Sequence, residues 1–170
     1  MKKVAILLEN FVEEVEFIYP FYRLKEEHFM VDVLAPKQGE FRGKNGLTFI
    51  ANKIIEPDMA AIYDGVFIPG GYAPDRFRRD KETLGFVRNM YEQNKIIGAI
   101  CHGPWLLISA GLVKGKKITG FFSIKDDLKN AGAIYTGNPV EVDGNIITGT
   151  DPKAMPEMVK TFIEKIKERK

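Results

Sequence analysis

The sequence predicts an α/β fold, a three-layer flavodoxin-like sandwich with a mainly parallel sheet and helices on both faces. Short apolar runs of strand length alternate along the chain with segments of helical spacing. The runs at residues 4–8, 66–69 and 96–100 are apolar throughout rather than alternating, as strands buried on both faces require. Turn signals such as Asp64-Gly65, Gly111, Gly132 and Asp143-Gly144 punctuate the elements, and parallel neighbours then need right-handed crossovers.

Residues 4–8 form the first buried strand. Residues 13–27 have helical spacing through Val15, Ile18 and Tyr22, with a kink or restart expected at Pro20, which has no N–H for an interior turn. Residues 31–35 give the second strand. Residues 41–52, with Gly43 and Gly46, predict short peripheral strands, and residues 57–63 a brief helix. After the core strand at 66–69, Asp80 caps a helix running through Asn94. The strand at 96–100 leads into a helix whose body spans 106–110 and which stops at Gly111. A strand at 118–120, a helix at 123–131 closed by Gly132 and the hairpin VEVDGNIIT follow. Asp151 and Pro152 open the last helix, one as cap and the other at its first position.

The 170 residues suit one domain over 1–170, without a linker, repeat or low-complexity tract. Lys and Arg number 25 against 23 for Asp and Glu, a net charge of +2, so a nucleic-acid partner is not expected. The basic KIKERK end reads as a solvated helix end. The opening MKKVAILLENF has lysines before an apolar run, but that run stops at Glu9 without a small-residue cleavage site. No stretch approaches a membrane span, so no membrane partner is expected. One cysteine allows no internal disulfide, which fits a reducing, cytoplasmic setting.

In open parallel sheets, ligands bind outside the carboxyl ends of the strands. Three loops fall there: residues 9–16, 70–76 and 101–104, and they should converge. The last begins Cys101-His102-Gly103 and follows Ala99-Ile100, a cysteine version of the small-x-nucleophile-x-Gly elbow. A helix starting at His102 would aim its amides at the sulfur and lower the thiol pKa, giving a reactive, accessible thiol. A lone cysteine is also a small buried hydrophobe; the turn position, His102 and the Gly70-Gly71 pair favour reactivity. Gly70 and Gly71 close an apolar strand and let backbone approach a ligand, and an amide there, with that of His102, forms a candidate oxyanion hole. The pair also reads as a tight turn. It lacks the GxGxxG spacing for a dinucleotide, and with one Cys, two His and no HExxH neither a metal site nor a cofactor is expected. His28, in KEEHF, reads as a solvated helix end.

Taken together, GAICHGPWLLISAG, VFIPGGYAPDR, VEEVEFIYPFYRLKEE and IKDDLKNAGA resemble the PfpI family of the Parkinsonism-associated deglycase superfamily, over essentially the whole chain. The resemblance implies the same sandwich and an intracellular cysteine peptidase, or a glyoxalase or deglycase acting on reactive carbonyls and their adducts. It implies Cys101 as nucleophile, Glu16 as the carboxyl bonded to its sulfur and held protonated, and His102 as general acid/base. It further implies that Asp75, in the GG-x-A-P-x-R loop, reaches the histidine of a neighbouring subunit. Glu16 being assigned to the sulfur and the helix through Ala110 offering no carboxylate, His102 has no acidic orienter in its own chain. A dimer is then the minimum unit and the family's hexamer, a trimer of dimers, the expectation. Many relatives carry Glu at the Asp75 position, one methylene longer. Asp75 also reads as a cap or as a partner of Arg76 or Arg79. Close relatives can have tyrosine where this chain has Phe121, so a hydroxyl lining the substrate is absent; packing of Phe121 and Phe122 is the simpler account of the pair. The expected function is a PfpI-type cysteine hydrolase acting on a peptide or a small carbonyl, with glyoxalase or deglycase activity as the alternative and redox sensing or chaperoning as a further one.

Overall fold

A computed structural model describes residues 1–169. In chain order the elements are β1 (Lys3–Leu7), α1 (Glu14–Glu26), β2 (Met30–Ala35), β3 (Gly39–Arg42), β4 (Thr48–Ala51), β5 (Lys53–Ile54), β6 (Gly65–Ile68), α2 (Ala73–Phe77), α3 (Lys81–Glu92) and β7 (Ile96–Ile100). They continue with α4 (Pro104–Ala110), β8 (Lys117–Ile118), α5 (Lys125–Asn130), β9 (Ile134–Tyr135), β10 (Val140–Asp143), β11 (Ile146–Gly149) and α6 (Met155–Glu168). The central sheet has seven strands in the order β10-β11-β7-β6-β1-β2-β5. All neighbours are parallel except β10 and β11. α1 packs against α6, and α3 against α4, giving the helical layers of the predicted sandwich.

β1 has β2 on one side and β6 on the other, so the winding reverses between β1 and β6. Reversal opens a crevice at the carboxyl ends of those two strands. β7, which carries Cys101 at its end, lies next to β6, so all three predicted loops leave the sheet side by side.

The core is built on contacts that leave little room for a side chain at Gly98. Phe162 of α6 meets Phe67 of β6 edge to face, with centroids 5.6 Å apart. A Cβ at Gly98 would lie 3.0 Å from each ring. Both phenylalanines are completely buried, and burying one such side chain stabilises the fold by about 2–3 kcal/mol.

Four expected details differ. α1 runs unbroken through Pro20, because the buried Phe17 and Leu24 on either side pin the helix to the core. Residues 118–120 are not a strand of the central sheet: β8 pairs only with β9, in a separate parallel ladder. The chain then bends back, Thr119 N–H donating to Thr148 Oγ1 at 3.0 Å and Phe121 N–H to the Cys101 carbonyl at 2.8 Å. The predicted 123–131 helix is a 3-10 turn (Phe122–Ile124) followed by α5. Asp151 does cap at the expected place, accepting from Lys153 N–H, but it opens a 3-10 turn (Pro152–Ala154) and α6 starts at Met155. Residues 41–52 fold as expected into a peripheral hairpin of β3 and β4, and Asp80 caps α3 by accepting from Thr83 N–H at 2.9 Å.

Phe162→Ala should destabilise the protein by about 3–5 kcal/mol, since the ring leaves a cavity over a glycine that cannot fill it. Denaturant unfolding measures this loss, and activity per folded molecule should stay at the wild-type value.

Candidate active site

Cys101 follows β7 with φ of 60, in the left-handed region. That conformation costs a non-glycine residue about 1–2 kcal/mol, and here the backbone is held on both sides. Cys101 N–H donates to the Gly149 carbonyl at 3.0 Å, its carbonyl accepts from Phe121 N–H, and Gly103 N–H donates to the Ile100 carbonyl at 2.7 Å. α4 begins at Pro104 rather than at His102 and has seven residues. The expected helix end at the sulfur is therefore missing; the amides acting on the sulfur are those of Gly71 and His102.

The loops after β1 and β6 do converge on this elbow. Val12 forms an antiparallel bridge with Gly71, and Tyr72 N–H donates to the Phe11 carbonyl at 2.8 Å. Glu16, in the first turn of α1, is fully buried, and its Oε2 accepts from Gly70 N–H at 2.7 Å. Its Oε1 has no hydrogen-bond partner among the described residues. A Cβ at Gly70 would lie 2.5 Å from Glu16 Oε2 and 2.7 Å from Cys101 Cβ, so this position must be glycine for carboxyl and thiol to meet. Gly71 has φ of 72, and a side chain there would strike the backbone of residues 11–13.

Electrostatics corrects the expected low-pKa, accessible thiol. Cys101 is only 8% exposed, and burial first, then the Glu16 charge, push the thiol up to about 12, against the lowering pull of the two amides. Burial likewise pushes the Glu16 carboxyl up to about 7, opposed by the Gly70 amide. Two acids in contact inside the fold admit one negative charge at a time, so the first proton lost near neutrality belongs to the pair. His102 is held below its ordinary value by burial and then by the Lys44 charge, which leaves it a neutral base.

The His102 ring is fixed on four sides. Nδ1 lies 3.3 Å from Cys101 Sγ, and Nε2 lies 3.2 Å from Ser123 Oγ. Phe121 stacks on the ring at 5.2 Å, and Trp105 meets it edge-on at 4.9 Å. Trp105 is itself held by Asp127, whose Oδ2 accepts from Nε1 at 2.9 Å. Phe121 therefore packs, and on the histidine, whereas Phe122 is 74% exposed and does not pack inward.

The structure thus brings Cys101, His102, Glu16, Gly70, Gly71 and Phe121 together, six of the seven residues expected. Asp75, expected to act on the histidine of a neighbouring subunit, sits on α2 of its own chain, faces solvent, and pairs with Arg79 at 3.2 Å. Sequence reading missed Glu13, Lys44 and Ser123. Glu13 and Lys44 line the cleft of about 390 Å³ over the thiol and pair at 2.6 Å. Lys44 is presented by a turn whose Asn45 donates N–H at 2.6 Å and Nδ2 at 2.7 Å to the buried Glu14 carboxylate. The lone lysine between Gly43 and Gly46 is the signal that was available. A larger groove, about 630 Å³, runs along α1 between Glu13 and Glu26 and does not include the thiol. No group of three His, Cys, Asp or Glu residues able to hold a metal occurs among the described residues. Nor does any described helix have the length and apolarity to cross a membrane.

A cysteine on a strand-to-helix elbow, flanked by a histidine and a buried carboxyl at the switch of a parallel sheet, defines a class of α/β enzyme built around a thiol. Comparison with known proteins narrows the class. Residues 2–165 match the DJ-1/PfpI family, and the chain belongs to that family. It is 35% identical over 165 residues to the deglycase PfpI of Pyrococcus furiosus, covering 97% of this chain and 99% of that one. A Bacillus subtilis protein named as a candidate cysteine protease is 39% identical over 152 residues, 89% of this chain and 90% of that one. Among solved structures, a two-domain protein of Anabaena variabilis with DJ-1/ThiJ/PfpI-like and ferritin-like domains superposes with a TM-score of 0.95 at 39% identity. The match covers 100% of this chain and 52% of that one.

Glu16→Gln removes the charge that raises the thiol, so the pH midpoint for alkylation of Cys101 should fall below the wild-type value; an unchanged midpoint would separate the two groups. The same carboxyl links stability to pH. In the fold it titrates near 7 against 4.5 for its ordinary value, so between those values the native protein holds a proton that the unfolded chain has lost. Its contribution is full below about 4.5 and lost as pH rises through about 7, at most about 3 kcal/mol. Unfolding free energies measured across this range should flatten in Glu16→Gln.

Proposed function

We propose that this protein is a cysteine-dependent enzyme of the deglycase kind, acting on small reactive carbonyls and on the carbonyl-derived adducts they form. The observation that carries the reading is the thiol's setting. It lies at the floor of a cleft of about 390 Å³, between a neutral imidazole and a carboxyl that titrates near neutrality. A cleft of that size admits an aldehyde or a short adduct more readily than a length of polypeptide.

The chemistry follows from the distances. Nδ1 of His102, 3.3 Å from the sulfur, takes the S–H proton as the C–S bond forms on an incoming carbonyl carbon. The π pair moves onto oxygen, where the Gly71 and His102 amides receive the developing charge. The imidazolium returns its proton to that oxygen, leaving a neutral hemithioacetal and an uncharged His102. Glu16, with its proton retained below about 7, adds no second negative charge beside the sulfur. Activity should accordingly need Glu16 and Cys101 to carry at most one charge between them.

A second reading, peptide hydrolysis through an acyl-enzyme, draws support from the name of the Bacillus relative. Both readings share the first step and differ in the carbonyl attacked. Self-association belongs to the same proposal: the outward face of α1 leaves Val15 43% and Tyr22 61% exposed, with Leu47 54% exposed beside them. Sedimentation should give a particle heavier than the 19.2 kDa chain.

Wild type and Cys101→Ser are to be incubated in parallel with methylglyoxal, a glycated amine and a fluorogenic peptide. We expect the first two to be consumed and the serine variant to lose at least about a hundredfold in rate. Peptide cleavage alone would favour the second reading, and inactivity on all three would overturn both.

A further inference from the structure

We propose that Ser123 is the positioning residue for His102, holding the imidazole from within its own chain. The inference rests on the reading of His102 as the base for Cys101. With Nδ1 facing the sulfur at 3.3 Å, that nitrogen must be the unprotonated one if it is to take the thiol proton. The ring proton then sits on Nε2, and the atom it meets is Ser123 Oγ at 3.2 Å. A hydroxyl can accept as well as donate, so in the Nε2–H tautomer that the proton transfer requires, Ser123 Oγ accepts from Nε2 and holds the ring with its Nδ1 lone pair at the thiol.

Among the described residues no carboxylate of the same chain serves this nitrogen. Asp127 accepts from Trp105 Nε1, Glu16 accepts from Gly70 N–H, and Asp75 pairs with Arg79. Ser123 is solvent-exposed, but its backbone is fixed. It lies in the 3-10 turn (Phe122–Ile124), with Ile124 fully buried, Ile124 N–H donating to the Phe121 carbonyl at 3.0 Å, and Phe121 N–H donating to Cys101 itself. One short segment thus carries two of the groups that define the imidazole's pose: Phe121 against its face and Ser123 at its edge. Trp105 closes the other side, held by Asp127 and with the Arg78 guanidinium 5.4 Å from its ring.

The choice of a hydroxyl has a chemical consequence. A carboxylate at Nε2 would stabilise the imidazolium and raise the histidine's pKa, whereas a hydroxyl orients the ring without adding charge. His102 is in fact held low, by burial and by Lys44, with Asp127 pulling the other way. The groups that bear on its titration are Cys101, Lys44 and Asp127.

The test reads the tautomer and the thiol directly, without substrate. The chain has two histidines, His28 and His102, so ring ¹⁵N shifts are readily assigned with a His28→Asn control. Wild type should show His102 as the Nε2–H tautomer. Ser123→Ala should mix the tautomers and slow Cys101 alkylation at neutral pH by about threefold to tenfold, the worth of one hydrogen bond. Ser123→Thr, which keeps the hydroxyl, should restore both, and unchanged far-ultraviolet circular dichroism should show that the fold is intact. Wild-type shifts and alkylation in Ser123→Ala would overturn the proposal. So would a tautomer change in Asp75→Ala as large as that in Ser123→Ala, which would put the orienter on a neighbouring copy. Because neither readout uses a carbonyl, absence of turnover would count against the deglycase reading alone.

Discussion

The site depends on a close approach that leaves no room for a side chain at Gly70. Carboxyl, thiol and loop backbone occupy the space where a Cβ would stand. Once that approach is made, the Gly70 amide finds its acceptor in Glu16, and the next amide, that of Gly71, is turned by a positive φ toward the sulfur. The strained backbone of Cys101 is tolerated because β11, the 119–121 segment and its own turn all hold it. The sheet sets this up: β1, β6 and β7 are neighbours, so three loops far apart in sequence end within contact distance.

Burial is what gives the site its electrostatic character, and it works against a permanently ionised thiol. The pair formed by Glu16 and Cys101 resists a second charge, and His102 resists a positive one. The resting site therefore carries few charges, and in the mechanism proposed above the proton moves as an electrophile draws on the sulfur. This differs from a thiolate held ready by a helix end, and the short α4 explains why.

Much of the fold was legible because its signals are local. Apolar runs, the cap at Asp80 and the turns at Gly111 and Asp143-Gly144 depend on neighbours in sequence, and each element they mark exists. Pro20 misled because a local rule, a missing N–H, was outweighed by burial of Phe17 and Leu24. Residues 118–120 misled because apolar content does not say which sheet a segment joins. In the site, the resemblance to a family pointed to Cys101, His102 and Glu16, while composition and turn position alone pointed to Cys101, the adjoining His102 and the glycines and gave no sign of Glu16. Ser123 was overlooked because the search was for a carboxylate, and a serine beside two phenylalanines carries no pattern of its own. Lys44 was overlooked because its place depends on Glu14, thirty-one positions away, reaching Asn45.

That reach from Glu14 has a consequence for access. The turn bearing Lys44 is tied at three points: to the Val12 carbonyl through its own amide, to the buried carboxylate through Asn45, and to Leu47 through the Gly43 amide. A segment anchored so closely to the first turn of α1 cannot swing aside without exposing a buried charge. The cleft therefore behaves as a fixed sieve rather than a gated chamber. On the deglycase reading proposed above, selection would fall on molecules already small enough to reach the sulfur, and release of product would need no opening step.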